Sequence, residues 1–432
     1  MKKINKTLSE HINKDYRGYA TYILESRGIP NFYDALTNVQ RYILQNTPTT
    51  FVRSLKIVGD CISSGYHHGN SSLENSLNSL TRPYLCSQQI LEGDGFFGNP
   101  VKRDAASPRY TAAKLSKKSH EIISKYKNLN SSNIGSGWDY LKMEVPIGLL
   151  SDTTGIAIGY ACQFLPRKYE HIVEYLEGKR KSLKPYLINY DGEIVKNKEN
   201  GTSSWIIEPV ISKNKNKNEI HINDISPTIK YEMYVKKIND IIEEYNCNVV
   251  NTTKNKITLI LKFPKSITSE VLDLIYDKIY KFSCAKISEN IVFIKDKNVL
   301  EYATIEDYLD DFKNYREFLF KDMIEYDLSK LENELKYLYA TKDYLKFMLK
   351  PGTRTTEEIQ TFLLQYEKYI YNRLDVLKLR LLNLEFLKEV ESLIKETTNL
   401  IKLKKIELNK QKKTCDSIKT IIIKAKTSFI KN

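Results

Sequence analysis

The stretch DGFFGNPVKRDAASPRYT, residues 94–111, is the part of the chain whose reading decides the fold. It joins a glycine-rich turn to an Arg109–Tyr110 pair, and two further clusters precede it: RGIPNFYDALTNVQR at 27–41 and GYHHGN at 65–70. Arginine, histidine and tyrosine together can carry out transesterification on a phosphodiester. A tyrosine oxygen attacks phosphorus while Arg and His donate hydrogen bonds to the pentavalent centre. Composition does not choose the nucleophile, because the chain has 30 tyrosines and a packing role is the default for each.

Charge supports a polyanionic partner. The 432 residues carry 67 Lys and Arg against 53 Asp and Glu, a net of +14. Residues 1–150 hold 19 basic and 12 acidic side chains and residues 401–432 hold 10 and 2, so the 250 residues between are close to neutral. Lys and Arg release counterions condensed on phosphates, which suits the first third to nucleic acid. In the tail, IKLKKIELNKQKKTCDSIKTIIIKAK, lysines alternate with apolar residues at helical spacing, and the solvated face of a packed terminal helix is the preferred reading.

No run approaches the roughly 18 apolar residues of a membrane span, and MKKINKTLSEHINKDY has no apolar signal core, so an intracellular protein without membrane association is expected. Cys61, Cys86, Cys162, Cys247, Cys284 and Cys415 are scattered without a CxxC pair, which suggests reduced structural thiols and neither zinc nor a disulfide framework.

Outward from the three clusters, the first third reads as short helices. Phe32, Leu36, Val39 and Ile43 follow one another at spacings of four, three and four, predicting an amphipathic helix. The middle changes to short β-branched segments, WIIEPVI, NKITLILKF and ENIVFI, with KNKNKNE at 213–219 as a solvated loop. From about Thr304 the apolar positions Ile305, Leu309, Phe312, Leu328, Leu331, Leu335, Leu338 and Leu345 predict a long helix. After KPGTRT at 350–355 a second seam runs Ile359, Leu363, Tyr366, Ile370, Leu374, Leu377, Leu381, Leu384. Two such runs folded together predict an antiparallel coiled-coil stalk.

Taken in order, these residues resemble the breakage-reunion (A-type) subunit of type IIA DNA topoisomerases, in its short phage form. RGIPNFYDALTNVQR is similar to the family's Arg-x-x-Pro-Asp-x-x-Asp-Gly-x-Lys-Pro-x-x-Arg segment, and GYHHGN to Tyr-His-His-Gly-Glu. EGDGFFGN resembles Asp-Gly-x-Gly-x-Phe-Gly, and RDAASPRYT resembles Asp-Ala-Ala-Ala-x-Arg-Tyr, whose last residue is the nucleophile. TTGIAIGYACQFLP at 153–166 and LKPYLINYDGEI at 183–194 resemble two further family segments.

The resemblance implies an α+β multidomain chain: a winged-helix DNA-gate domain over 1–150, a strand-rich tower over 151–303, and a coiled-coil stalk ending in a dimerisation gate over 304–432. It implies that Tyr110 forms a 5′-phosphotyrosine, that Arg109, Arg27 and His68 hold the scissile phosphate, and that Ile156 wedges between base pairs while Arg41 and Lys114 present cations to the backbone. His67 beside them reads as structural support of the DNA-binding turn, and an ordinary solvated charge is the competing reading for Arg41 and Lys114. This chain has no metal site of its own in that scheme. Mg²⁺ and ATP are expected on a separate ATPase and metal-binding subunit, in a heterotetramer built on a homodimer of this chain bound to double-stranded DNA. Relaxation and decatenation are expected, in the host cytoplasm if the source is a virus or phage.

Thr37 and Asn38 stand where Lys-Pro is usual, Asn70 replaces an acid, Pro108 precedes the Arg–Tyr pair, and Ala112 replaces a common acid. A tyrosine recombinase is disfavoured because no histidine is followed by Arg at the third position. A non-catalytic dimeric DNA-binding or architectural protein is the alternative.

Overall fold

The computed structural model describes residues 7–24, 28–130, 140–197, 203–352, 354–377 and 383–430. The chain divides into two compact units, Met1–Lys313 and Asn314–Asn432.

The first unit starts with α1 (Leu8–Glu10), a π-type stretch (His11–Tyr16) and α2 (Arg17–Ile23), then α3 (Asn38–Asn46). The expected amphipathic helix begins only at Asn38; Phe32 and Leu36 are fully buried but lie ahead of it. The cause is Asp34. Its carboxylate accepts from the backbone N–H of Leu36 (2.9 Å) and of Leu141 (2.8 Å), which holds an Asx-type turn, and Ala35 sits in the left-handed region. The helix then starts with Thr37 N donating to Gln40 Oε1 at 2.8 Å.

Next come β1 (Val52–Arg53), α4 (Ser54–Ser63), α5 (Asn70–Thr81), β2 (Leu91–Asp94), β3 (Ala112–Leu115) and α6 (Lys117–Lys125). The three strands form an antiparallel sheet in the order β1-β3-β2, with Arg53 opposite Ala112 and Leu91 opposite Leu115. Ile57, Val58 and Cys61 of α4 and Leu73, Leu77 and Leu80 of α5 are buried at three- and four-residue spacing.

A hairpin of β4 (Thr153–Ala157) and β5 (Tyr160–Phe164) and the helix α7 (Tyr169–Leu176) lead into the strand-rich middle. There β6 (Ile194–Lys196), β7 (Ser204–Ile207), β8 (Val210–Asn214), β9 (Glu219–Asp224), α8 (Tyr231–Tyr245), β10 (Asn248–Asn251), β11 (Leu259–Lys262), α9 (Ser269–Ser283) and β12 (Ala285–Ser288) build two sheets, β10-β11-β9-β8 and β12-β7-β6. The three segments expected as strands are strands, although WIIEPVI is divided between β7 and β8. Lys213 and Asn214 of KNKNKNE belong to β8, and only the centre of that run turns, toward β9. One face of the larger sheet, with Ile220, Ile222, Leu259 and Leu261, packs on Tyr234 and Ile238 of α8 and Leu272, Ile275 and Ile279 of α9. Burial of each such side chain contributes about 1.5–3 kcal/mol. The hairpin β13 (Ile291–Lys295) and β14 (Asn298–Tyr302) closes the unit.

Helix α10 (Ile305–Met348) begins in the first unit and continues into the second, which adds α11 (Thr356–Leu363), α12 (Lys368–Asp375) and α13 (Leu384–Ile430). Two helices of 44 and 47 residues are present, but the second is not the expected one. The seam from Ile359 to Leu384 breaks into α11 and α12, whose Leu363, Ile370 and Leu374 pack on Ala340 and Tyr344 of α10; Leu381 lies outside the described residues. The lysine-rich tail makes the long helix instead. Within the second unit Lys342 pairs with Glu391 (2.9 Å), Lys405 with Glu332 (2.9 Å) and Lys412 with Glu325 (3.6 Å), so α13 runs antiparallel to α10.

Candidate active site

Tyr110 sits at the end of the turn that enters β3, and the backbone of that turn is fastened to the start of α4. Ser54 N donates to Thr111 O (2.9 Å), Leu55 N donates to Pro108 O (3.1 Å), and the buried Thr111 hydroxyl donates to Ser54 Oγ (2.8 Å). The first N–H groups of a helix have no intrahelical partner, and here the tyrosine-bearing turn satisfies two of them. Upstream, Asn99 Oδ1 accepts from Lys102 N (2.7 Å), and Ala106 N donates to Phe96 O (2.9 Å). Gly98 has φ +85°, and a Cβ there would lie 2.5 Å from the Arg103 carbonyl oxygen, so the glycine-rich turn needs glycine at this position.

On this fixed backbone the Tyr110 side chain is 70% exposed. Arg109 is exposed beside it, and Arg53 of β1 reaches the Tyr110 carbonyl with Nη1 at 3.5 Å. Sequence reasoning did not single out Arg53, because only the pairing of β1 with β3 brings it there. Lys114 is partly exposed on β3, pairs with Glu92 at 3.0 Å and lies over the Phe51 ring. A polar cleft of about 530 Å³ opens between α5 and the segment before the tyrosine, lined by Asn75, Asn78, Arg82, Arg103, Asp104 and Ser107 among others.

The GYHHGN turn follows the other end of α4. Gly65 takes φ +101°, the Tyr66 ring is buried against Tyr42, and His67 is exposed while His68 is half-buried. The Tyr22 hydroxyl of α2 lies 3.1 Å from His67 Nε2 and 3.2 Å from His68 Nε2, a partner that no local sequence signal announced. Tyr110 and the histidines thus stand at opposite ends of a ten-residue helix, about 15 Å long at 1.5 Å per residue.

Ile156 is 79% exposed near the turn of the β4–β5 hairpin. That hairpin lies tightly on the start of the RGIPN segment: a Cβ on Gly155 would fall 1.8 Å from the Gly28 carbonyl oxygen. Arg27 itself lies outside the described residues.

Arg41 departs from its expected role. It is only 5% exposed, its Nε is 2.9 Å from Asp34 Oδ2 and its Nη2 donates to Leu36 O at 3.0 Å. A guanidinium spent on a buried carboxylate braces the loop before α3 and does not face a ligand. Burial pushes the Asp34 carboxyl up from the ordinary range, against the pull of Arg41 and two backbone N–H donors.

Among the described residues no group of three or more His, Cys, Asp or Glu side chains could hold a metal ion, and no helix is long and apolar enough to cross a membrane. All six cysteines are free, and burial raises the thiols of Cys61, Cys86 and Cys162 to about 12, which makes them poor nucleophiles.

Comparison with known proteins gives the class. The model of the family of DNA gyrase/topoisomerase IV A-type subunits matches residues 27–425. The chain belongs to that family, the DNA-breaking and -rejoining subunits of type IIA topoisomerases, which are isomerases. It is 25% identical over 370 residues to the DNA topoisomerase medium subunit of Enterobacteria phage T4, covering 79% of this chain and 81% of that one. With the A-type subunit of DNA gyrase from Buchnera aphidicola (Acyrthosiphon pisum) it is 22% identical over 375 residues, 78% of this chain but 45% of the relative, so it spans less than half of that gyrase chain. The fold matches the DNA-binding, cleavage and re-ligation domain of Plasmodium falciparum topoisomerase II with a TM-score of 0.77 at 18% identity, covering 96% of this chain and 65% of that one.

Proposed function

We propose that Tyr110 is the nucleophile of this subunit. Its oxygen attacks a backbone phosphorus, the O3′ leaves with a proton, and a 5′-phosphotyrosine conserves the bond for religation. The observation that carries this reading is the exposure of Tyr110 on a turn hydrogen-bonded to the start of α4, with Arg109 and Arg53 at the same end. Preorganised cations stabilise charge that develops on the phosphorane oxygens. Arg109 does this directly, and Arg53 supports it from the neighbouring strand. Lys114 adds backbone attraction, and Ile156 is the apolar wedge that kinks the gate segment.

The helix length between Tyr110 and His68 supports a site completed by a second copy, in which Arg27 and His68 of one protomer serve the tyrosine of the other. Two cuts on opposite strands need two tyrosines related by a two-fold axis, which also calls for a homodimer. In this scheme residues 1–150 are the winged-helix DNA gate, 151–303 the tower and 304–432 the stalk and dimerisation gate. Mg²⁺ and ATP are assigned, on the family resemblance, to a separate ATPase and metal-binding subunit that completes a heterotetramer acting on double-stranded DNA. Relaxation and decatenation are assigned on the same family resemblance, and the likeness to a phage subunit supports a host cytoplasm.

The test is trapped cleavage: supercoiled plasmid, Mg²⁺ and a denaturant quench, with the partner subunit from the same genome. Wild type should leave protein on DNA ends, and Tyr110→Phe should bind DNA without doing so. Binding by wild type without any adduct in the assembled complex would favour an architectural role.

A further inference from the structure

Arg103 stands seven residues before Tyr110, where a cation would ordinarily be counted toward DNA, yet its guanidinium is held by protein. Nη2 donates to Pro227 O at 2.6 Å and to Ile229 O at 2.8 Å, both in the loop between β9 and α8. That nitrogen carries two protons, so both are engaged and neither is left for a phosphate oxygen. The two carbonyls are themselves fixed. Ile229 N donates to Ser226 O (3.0 Å), and the hydroxyl of the fully buried Ser226 lies 2.7 Å from that of Thr228. The Ile229 side chain packs on the apolar clusters of both sheets of the strand-rich middle.

A second contact docks the same stretch of chain. Val101, two residues earlier, packs on the apolar cluster of the larger sheet. The chain around it has little freedom. Asn99 Oδ1 accepts from Val101 N (3.0 Å) and Lys102 N (2.7 Å), and Asn99 N donates to Lys102 O (2.8 Å). Ala106 N then closes the neck of the loop on Phe96 O (2.9 Å), and Tyr110 N donates to Ser107 O at 2.8 Å. The excursion from Gly98 to Ala105 is one closed turn. Its tip rests on the strand-rich middle and its neck leads into the tyrosine.

We infer that Arg103 is a positioning residue: it clamps the tyrosine-bearing loop to the β9–α8 loop and so places the Tyr110 oxygen for cleavage and religation, without touching DNA itself. This rests on the reading of Tyr110 as the nucleophile. Ser54 holds the turn at Thr111 from the helix side, and Arg103 holds it from the other, so the stretch from Asp104 to Tyr110 is pinned at both ends. Releasing one end leaves the phenol in place on average but widens its range, and a misplacement of about 1 Å can cost a rate about 10²-fold.

The test compares wild type, Arg103→Met, which keeps the stem and loses both bonds, and Tyr110→Phe, all as the full chain. Amide hydrogen exchange of the DNA-free protein should quicken at Ala106 and Tyr110 in Arg103→Met, while the amides of β9 and β11 stay as protected as in wild type. Exchange that rises equally in those strands, or nowhere, overturns the inference. In complexes reconstituted with the partner subunit, quenched time courses should show adduct formation and its reversal each slowed by about tenfold or more in Arg103→Met. Duplex affinity and its salt dependence should match wild type. A phosphate contact would instead weaken binding and reduce the salt slope by about one, and that result overturns the inference, as do unchanged rates. An adduct that persists in Tyr110→Phe would overturn the assignment of the nucleophile, and the exchange result would then stand alone as a clamp on the loop.

Discussion

Ser54 and Thr111 are joined twice, by a backbone bond of 2.9 Å from Ser54 N to Thr111 O and by a side-chain bond of 2.8 Å from Thr111 Oγ1 to Ser54 Oγ. The pair ties the residue after Tyr110 to the first residue of α4 and leaves the phenol exposed on a backbone that cannot drift far. Thr111→Val keeps the shape but orphans the buried Ser54 hydroxyl, at about 1–3 kcal/mol. Denaturant melts should record that loss, and quench assays should record slower adduct formation than wild type at an unchanged DNA affinity. An unchanged cleavage rate would mean that the turn does not position the nucleophile.

Arg41 is expected to matter for folding and little for DNA. Breaking a buried ion pair costs about 3–5 kcal/mol when the other charge stays behind, so Arg41→Met should lower the unfolding free energy by that order while the folded variant retains duplex affinity. The sign with pH follows from Asp34. Burial already raises its carboxyl, and without Arg41 it rises further, so the folded state binds more protons than the unfolded one and the variant regains stability as pH falls. Melts between pH 5 and 8 check this: the gap to wild type should narrow at the acid end.

How much of this was legible in the sequence depends on whether the partners are neighbours in the chain. Tyr110 and Arg109 are contiguous, so motif reading reaches them. Arg53 reaches Tyr110 across 57 residues and Tyr22 reaches the histidines across 45, and only strand register and helix docking create those contacts. Arg41 keeps the spacing of a DNA contact, but Asp34 seven residues earlier captures it, which spacing alone does not reveal. The second seam has good helical periodicity from Ile359 to Leu377, yet α11 and α12 fold back on α10 as two short pieces. The lysine-rich tail, a weaker pattern, supplies the long helix because Ile401, Leu408 and Cys415 are buried along one face of it, while its lysines meet the acids of α10 at the exposed edge.

For that helix pair the apolar seam should outweigh the ions. Exposed pairs such as Lys405–Glu332 contribute about 0–1 kcal/mol each, whereas Leu345→Ala beside Val390 and Ile394 removes a fully buried side chain at about 2–5 kcal/mol. Thermal melts followed by helical circular dichroism should rank Leu345→Ala well below Lys405→Ala. The reverse order would assign the pairing to charge.

Ile156→Ala should cost the free protein little, about 0.5 kcal/mol or less, because the side chain is 79% exposed. Its effect should fall on the bound DNA. Fluorescence transfer between dyes at the two ends of a 30-base-pair duplex should report a smaller bend angle than with wild type, and an equal angle would remove Ile156 as the wedge.

The most direct measurement is to map the covalent adduct. The complex reconstituted with its partner subunit is quenched on DNA, the DNA is digested by nuclease, and the remaining nucleotide-bearing peptide is sequenced by tandem mass spectrometry. The expected peptide contains Arg109–Tyr110–Thr111 with the phosphodiester on the Tyr110 oxygen and linked to a DNA 5′ end. A nucleotide on any other of the 30 tyrosines, or a linkage to a 3′ end, would contradict Tyr110 as the nucleophile.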